Sequence, residues 1–268
     1  MQIEPQFKNF LLGCDPEVFI VDATGKIVSA HDKLPGTKRK PFKVPGGAIQ
    51  VDGVAGEFNI DPAASFEEWN DNIVKVWAAL DALLPEGYSS VAVASTQFSP
   101  EDWSHIPPRA KALGCEPDFN AWTNRTNKKV KPEDGFRTCG GHVHFGWQGP
   151  ACAIDAAHHR AATTFVKHLD WHLGAWSVLV DKDVQRRSLY GAAGCHRLKP
   201  YGVEYRTLSN FWIATEELRL EVWNRSMRAA ASLVDRPFER SSEELIRTIN
   251  ESDVASAESF LSDITYAV

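Results

Sequence analysis

From Phe10 to Ile60 short apolar runs alternate with polar residues and are interrupted by glycine and proline, the period-two pattern of strands. The spacing predicts strand structure over 10–21 (FLLGCDPEVFIV) and 48–60 (AIQVDGVAGEFNI), with a loop through Pro35-Gly36-Thr37-Lys38 between them. At Ser65 the period lengthens. Phe66, Trp69, Ile73, Val76, Trp77, Leu80 and Leu84 recur three or four apart, and Ser65 with Glu68 forms a capping box, so a long amphipathic helix is expected. Further strands are expected at 90–97, 139–147 and 201–209, and a Pro/Asn/Asp-rich loop from Ser99 to Asp134. A second long helix is expected over 151–180, with Ala156, Ala161, Phe165, Leu169, Leu173, Trp176 and Leu179 on its buried side. After Thr215 the pattern is mostly helical; one piece opens at Ser241-Ser242-Glu243-Glu244 and a shorter one lies near 256–264. No internal repeat or linker composition interrupts the chain, so it reads as one α+β domain, 1–268, with a helical tail over about 215–268.

Four of the expected strands carry an unusual alternation. Residues two apart on a strand share a face. Asp15 and Glu17 then oppose Val18 and Ile20, Glu57 and Asn59 oppose Phe58 and Ile60, His142 and His144 oppose Val143 and Phe145, and Glu204 and Arg206 oppose Val203 and Tyr205. One face is apolar and suited to helices; the other is ionisable. A solvated face would carry mixed Lys, Thr, Ser and Glu. Carboxylates on neighbouring strands, about 5 Å apart at an effective dielectric of about 20, repel by roughly 3 kcal/mol, so a cation is expected to offset them. Hard divalent ions, Mg²⁺ or Mn²⁺, suit carboxylates with a minority of imidazole better than zinc does. Gly13, Gly53, Gly56, Gly140, Gly141 and Gly146 crowd the same segments, and those beside the histidines read as clearance for a bound ligand.

Composition narrows the partners. Hydrophobic residues make up 43% and charged residues 24% of 268, which is ordinary for a globular protein, and the net charge of −6 provides no global field for a nucleic acid backbone. Five scattered cysteines without a C-x-x-C spacing fit reduced thiols, no stretch approaches a membrane span, and the N-terminus lacks an export signal. A cytoplasmic protein is expected. Arg186, Arg187, Arg197 and Arg206 gather before and on the last polar strand, and arginine is suited to bidentate phosphate recognition. Acids facing arginines describe phosphoryl transfer, yet neither a Walker A sequence nor a kinase glycine loop is present. Asp118 and Asn120 are candidates for an acceptor pocket, and Lys38 and Lys43 for phosphate or substrate contacts. His168 and His172, four apart on a helix without a HExxH acid, are weak ligand candidates.

Gly13-Cys14-Asp15-Pro16-Glu17-Val18-Phe19, Gly56-Glu57, Gly140-Gly141-His142-Val143-His144 and Val203-Glu204-Tyr205-Arg206 resemble, in order, the metal-binding strands of the glutamine synthetase and glutamate-cysteine ligase superfamily. With Gly36-Thr37-Lys38, Gln50-Val51-Asp52-Gly53, Arg186-Arg187, Tyr190-Gly191 and Tyr201-Gly202, the pattern is similar to the phage-associated type 2 amidoligases, or COOH-NH2 ligases. The resemblance implies a curved, mainly antiparallel glutamine-synthetase-like catalytic sheet with helices packed on one face. It implies an enzyme that uses ATP and Mg²⁺ (or Mn²⁺) to join a small-molecule or peptide carboxylate to an amine through an acyl phosphate. Asp15, Glu17, Glu57, His142 and Glu204 match metal ligands; His144, Lys38, Arg186, Arg187, Arg197 and Arg206 match phosphate-binding positions. Glu17, Glu204 and Arg206 are the implied catalytic residues, Arg206 by stabilising the transferring phosphoryl group. Asp15 stands where a glutamate is more usual, and the chain is much shorter than glutamine synthetase. A guanidinium phosphotransferase of the same superfold, a metal-dependent hydrolase and a non-catalytic ion-binding protein are the alternatives.

Overall fold

The first expected strand breaks at Asp15-Pro16, because proline has no N–H for a sheet ladder. In the computed structural model, which describes residues 10–112, 118–128, 133–147, 155–235 and 241–265, β1 (Leu11–Cys14) and β2 (Glu17–Val21) flank this break and enter different sheets. β3 (Ile27–Val28), β4 (Phe42–Val44), β5 (Gly47–Asp52) and β6 (Ala55–Ile60) follow, the last two forming a hairpin turned at Gly53, whose φ is +60°. Then come α1 (Phe66–Leu83), β7 (Ser89–Val91) and β8 (Ser95–Gln97). The segment expected as a loop contains α2 (Pro100–His105), α3 (Pro108–Lys111), β9 (Phe119–Asn120) and β10 (Arg125–Thr126). β11 (Phe136–Thr138) and β12 (Val143–Gly146) carry the histidine segment. α4 (Ala156–Leu169), a π-helical turn (Asp170–Gly174), α5 (Ala175–Val180) and α6 (Val184–Leu189) lead to the hairpin β13 (Cys195–Lys199) and β14 (Gly202–Tyr205). A 3₁₀ turn (Asn210–Ile213) and α7 (Glu216–Asp235), α8 (Ser242–Glu251) and α9 (Val254–Thr265) complete the described chain.

The architecture is α+β, with every pair of named strands antiparallel. One sheet has the order β1-β12-β14-β13-β9-β10 and the other β3-β2-β6-β5-β4, with β7 also on β2; β8 and β11 form a separate pair. The four polar pairs therefore divide between two sheets, not one. The sheets meet at the proline break: Asp15 N–H donates to His142 O (3.2 Å), Glu17 N–H to Gly140 O (2.9 Å), and Leu12 bridges Ala63 beyond β6. Asp15 and Glu17 thus lie at the seam against the glycine-histidine segment.

Helices cover the apolar faces. α1 starts at Ser65, whose hydroxyl accepts from Glu68 N–H, and buries Trp69, Ile73, Val76 and Leu80 against β5 and β6. Trp69 stacks on Trp212 with ring centroids 5.3 Å apart, both fully buried. The second long helix begins at its N-cap Asp155 and is interrupted by the π-helical turn; residues 151–154 lie outside those described. Its buried set includes Phe165, Leu169, Leu173 and Trp176 as expected, but Ala156 is exposed and Ala161 and Leu179 are half-buried, with Ala162 and Val166 facing inward. At the interruption Asp170 accepts hydrogen bonds from Tyr205 Oη (2.7 Å) and Trp122 Nε1 (2.6 Å), which fastens the back of β14 to the helix layer.

Candidate active site

Strand register sets the polar face. Across the first sheet Gly13 pairs with His144, His144 with Glu204 and Glu204 with Arg197; across the second, Glu17 pairs with Glu57 and Glu57 with Gln50. These rows converge at the seam on a cavity of about 420 Å³. Asp15, Glu17, Glu57, His142, His144, Arg197 and Arg206 all line it, together with Lys38 at an exposed position, Gln50, Asp52, Lys199 and Tyr201. A cavity of this size lies in the range of small-ligand sites.

The acids differ in environment. Oxygen and nitrogen atoms of Asp15, His144 and Glu204 lie within 4.8 Å of one another. Asp15 Oδ1 is 3.0 Å from His144 Nε2 and 3.2 Å from His142 Nδ1. Burial pushes the Asp15 carboxyl upward, but the two imidazoles overcome it and hold it well below the usual range. Glu204 is fully buried, its Oε2 2.7 Å from Lys199 Nζ and its Oε1 3.5 Å from Arg197 and paired with Arg206. Burial and Asp15 push Glu204 upward; Arg206, His142 and His144 outweigh them and bring it to about 2.

On the other side of the seam the balance is reversed. Burial, then the nearby Asp52, pushes Glu17 up to about 7, against the opposing pull of the Gly140 N–H, which donates to Glu17 Oε2 at 2.7 Å, and of Arg206. Glu57, bonded by Gln50 Nε2 (2.7 Å), is raised well above its ordinary value by burial and by Asp15, Glu17 and Asp52. A cross-strand carboxylate pair held partly protonated in this way is a site that a cation would ionise. The donor set, oxygen-rich with one or two imidazoles, fits Mg²⁺ or Mn²⁺. His142 supports the fit. Burial, then Arg206, hold its pKa down, which favours the neutral imidazole that a cation takes, and its Nδ1 lies 3.2 Å from Asp15 Oδ1 and 3.6 Å from Glu204 Oε1.

The four arginines separate. Arg197 and Arg206 reach the cavity, Arg206 Nε lying 2.6 Å from Asp118 Oδ1. Arg186 is buried and donates to the carbonyls of Cys139 (3.2 Å), Thr207 (3.0 Å) and Leu208 (2.8 Å); it touches only a smaller neighbouring cavity. Arg187 donates to Ser177 Oγ (3.0 Å), lies 3.6 Å from Asp181 and lines neither cavity. These two were expected at phosphates; in the structure Arg186 holds the backbone beside the polar strands and Arg187 the end of α5, and neither lines the large cavity. The glycines beside the histidines also have a different role from the one expected. A Cβ on Gly140 would lie 2.3 Å from His142 Nε2, and one on Gly141 2.2 Å from the Ser209 carbonyl oxygen, so they make room for protein atoms. Gly13 and Gly146 do border the large cavity.

A smaller cavity of about 70 Å³ lies beyond Glu17, Asp52, His142 and Arg206, which line both. Its remaining walls include Val54, Ala55, Ala110, Asp118, Phe136 and Tyr190. The sequence reading had no role for Lys199. The signal was the alternation Cys195, Arg197, Lys199, the same period-two pattern as the other strands, within a segment read only as an arginine-bearing run before the next strand. Asp52 was legible only as part of a motif; its place between the cavities comes from the β5–β6 turn. His168, half-buried, and His172, buried, line neither cavity, and His168 bonds Ser232 Oγ (2.7 Å).

Residues 130–241, which carry the histidine strand and the β13–β14 hairpin, match the family described as Phage phiEco32-like COOH.NH2 ligase-type 2. It is the family that the strand motifs resemble. Among solved structures it is similar to a bifunctional glutathione synthetase from Pasteurella multocida, with 14% identity, a TM-score of 0.43, and coverage of 98% of this chain and 49% of that one. It is also similar to a GmaS/ADP complex, with 10% identity, a TM-score of 0.49, and coverage of 95% and 64% respectively. The chain therefore spans about half to two-thirds of the length of these structures. No curated protein matches it. Among the described residues no helix is long and apolar enough to cross a membrane.

Proposed function

We propose that this chain is a single catalytic domain that joins a carboxylate to an amine, using ATP with Mg²⁺ or Mn²⁺ and passing through an acyl phosphate. The observation that carries this reading is the polarity of one cavity: four acids and two histidines share its wall with Arg197, Lys199 and Arg206. Asp15, Glu17, Glu57, His142 and Glu204 would hold the divalent ions; His144, Lys38, Arg197 and Arg206 would hold phosphate oxygens. Bound there, the ions would supply Lewis-acid polarisation and charge neutralisation.

Arg206 is fixed by Asp118 and Glu204, so its charge is pre-aimed where negative charge accumulates during phosphoryl transfer. The substrate carboxylate oxygen attacks the γ-phosphorus and the bond to ADP breaks. An amine nitrogen then attacks the acyl carbon and loses a proton as the C–O bond to phosphate breaks, giving an amide and inorganic phosphate. The smaller cavity, reached past Glu17, Asp52, His142 and Arg206, supports placing one of the two organic substrates on that side.

Product analysis tests the reading. ADP and phosphate should appear only when a carboxylate and an amine are both supplied. AMP with pyrophosphate, a stable phosphorylated guanidinium without an amine requirement, or ATP-independent cleavage would each replace it. Glu17→Ala and His142→Ala should abolish turnover while the protein remains folded.

A further inference from the structure

Between Asp32 and Asp52 the chain carries five cations and no acid, in a protein whose net charge is −6. Four of them, Lys38, Arg39, Lys40 and Lys43, gather on the turn that leads into β4, and all four are exposed. The turn is fastened at its stem. Thr37 and Lys40 exchange backbone hydrogen bonds (3.0 and 2.9 Å), and Lys40 N–H also reaches Thr37 Oγ1 (3.2 Å). Gly36, at φ +86°, lies so close to β5 that a Cβ there would be 2.3 Å from the Ile49 carbonyl oxygen. Elsewhere on the surface cations sit against local acids, Lys26 2.7 Å from Asp102, Lys75 3.3 Å from Asp71 and Arg225 2.8 Å from Glu221; among the described residues the four turn cations form no such pair. Unpaired charge on an ordered turn attracts an anion and costs little ordering when one binds.

Position decides what that anion is. Lys38 lines the large cavity, whereas Arg39, Lys40 and Lys43 do not, so the cationic turn runs from the rim of the site outward over the surface. A substrate that fits within about 420 Å³ leaves these three unused. A longer chain whose reacting carboxylate enters the cavity runs past them, and at about 3.3 Å per extended residue its next few side chains fall along the turn. A nucleic acid fits less well. It needs a basic track for many phosphates, and inward of Lys38 the wall turns acidic at Asp15, Glu17, Asp52 and Glu57. We infer that the turn at 37–43 is a docking site for an acidic polypeptide, and that the carboxylate this enzyme joins belongs to such a chain. The second half rests on the ligase reading proposed above; the docking of an acidic chain does not.

A nucleotide-free binding assay tests the docking. A fluorescently labelled oligoglutamate of about ten residues should bind wild type at low ionic strength and release as salt is raised. It should bind the Arg39→Ala/Lys40→Ala/Lys43→Ala variant about tenfold more weakly, the summed effect of three exposed charge contacts. Oligoglutamine of the same length should bind neither protein, and ADP with Mg²⁺ should bind both alike in calorimetry, because the three residues lie outside the cavity. No binding of oligoglutamate, equal binding to the variant, tighter binding of a single-stranded oligonucleotide of the same charge, or a matched loss of ADP affinity would overturn the inference. With ATP, Mg²⁺ and a mixture of amines, oligoglutamate should stimulate ADP release more than free glutamate does, and the variant should lose that advantage; equal stimulation by free glutamate would overturn the substrate assignment. If oligoglutamate docks as expected while neither protein binds ADP, the docking site stands and the ligase reading fails.

Discussion

Glu17 gives the sharpest energetic prediction, because its cost to the fold depends on pH and on cations in a way a structural carboxylate's would not. Its folded pKa of about 7 lies above the ordinary glutamate value of about 4.5. An acid shifted upward binds more protons folded than unfolded between those two values, so the stability it contributes is intact below about 4.5 and is lost as pH rises through 7. At 1.36 kcal/mol per pKa unit the loss above pH 7 is about 3 kcal/mol as an upper figure, and it belongs to the Glu17–Glu57 pair as they titrate together. Glu17→Gln removes the ionisation and keeps an oxygen for the Gly140 N–H. In chelator, urea or thermal unfolding should find the variant close to wild type at pH 5 and more stable at pH 8, by up to about 3 kcal/mol, or roughly 5–10 °C in Tm for a chain of this size. Millimolar Mg²⁺ should stabilise wild type at pH 8 and close the gap, with little effect on the variant. Equal stabilities at pH 8, or a gap independent of pH, would refute the picture of a buried carboxylate pair awaiting a cation.

Other variants probe separate parts of the account. Arg206→Ala strips the buried Glu204 and Asp118 of a partner; it should lower turnover by about 10²–10³ and destabilise the protein by roughly 3–5 kcal/mol, while Arg187→Ala should show the stability loss with substrate KM unchanged, as steady-state kinetics and denaturation would report. Trp69→Ala opens a cavity against Trp212 and should cost about 3–5 kcal/mol in urea unfolding. Gly141→Ala places a methyl 2.2 Å from the Ser209 carbonyl and should fail to fold or lose stability, whereas Gly13→Ala, with 3.6 Å to the nearest atom, should fold normally and be read by nucleotide affinity.

Much of the site was legible because a strand's period of two exposes its face in one dimension. His142 with His144, and Glu204 with Arg206, were paired by alternation alone, and register then placed them side by side. Ser65 and Glu68 announced α1 for an equally local reason. What the sequence hid was non-local. A proline at position 16 splits one expected strand between two sheets, so Asp15 and Glu17 converge through a seam, not a shared strand face. Arg186 and Arg187 differ from Arg197 only in where α6 and β13 direct them, which composition cannot express. The glycines of the histidine segment answer to Ser209 and His142, contacts visible only after folding.

The acyl phosphate is the central claim, and oxygen tracing tests it most directly. With both carboxylate oxygens of the acid substrate labelled with ¹⁸O, mass spectrometry of the products should find one ¹⁸O in each inorganic phosphate released, with ADP unlabelled and the other ¹⁸O retained in the amide. Unlabelled phosphate, or label recovered in AMP, would contradict it.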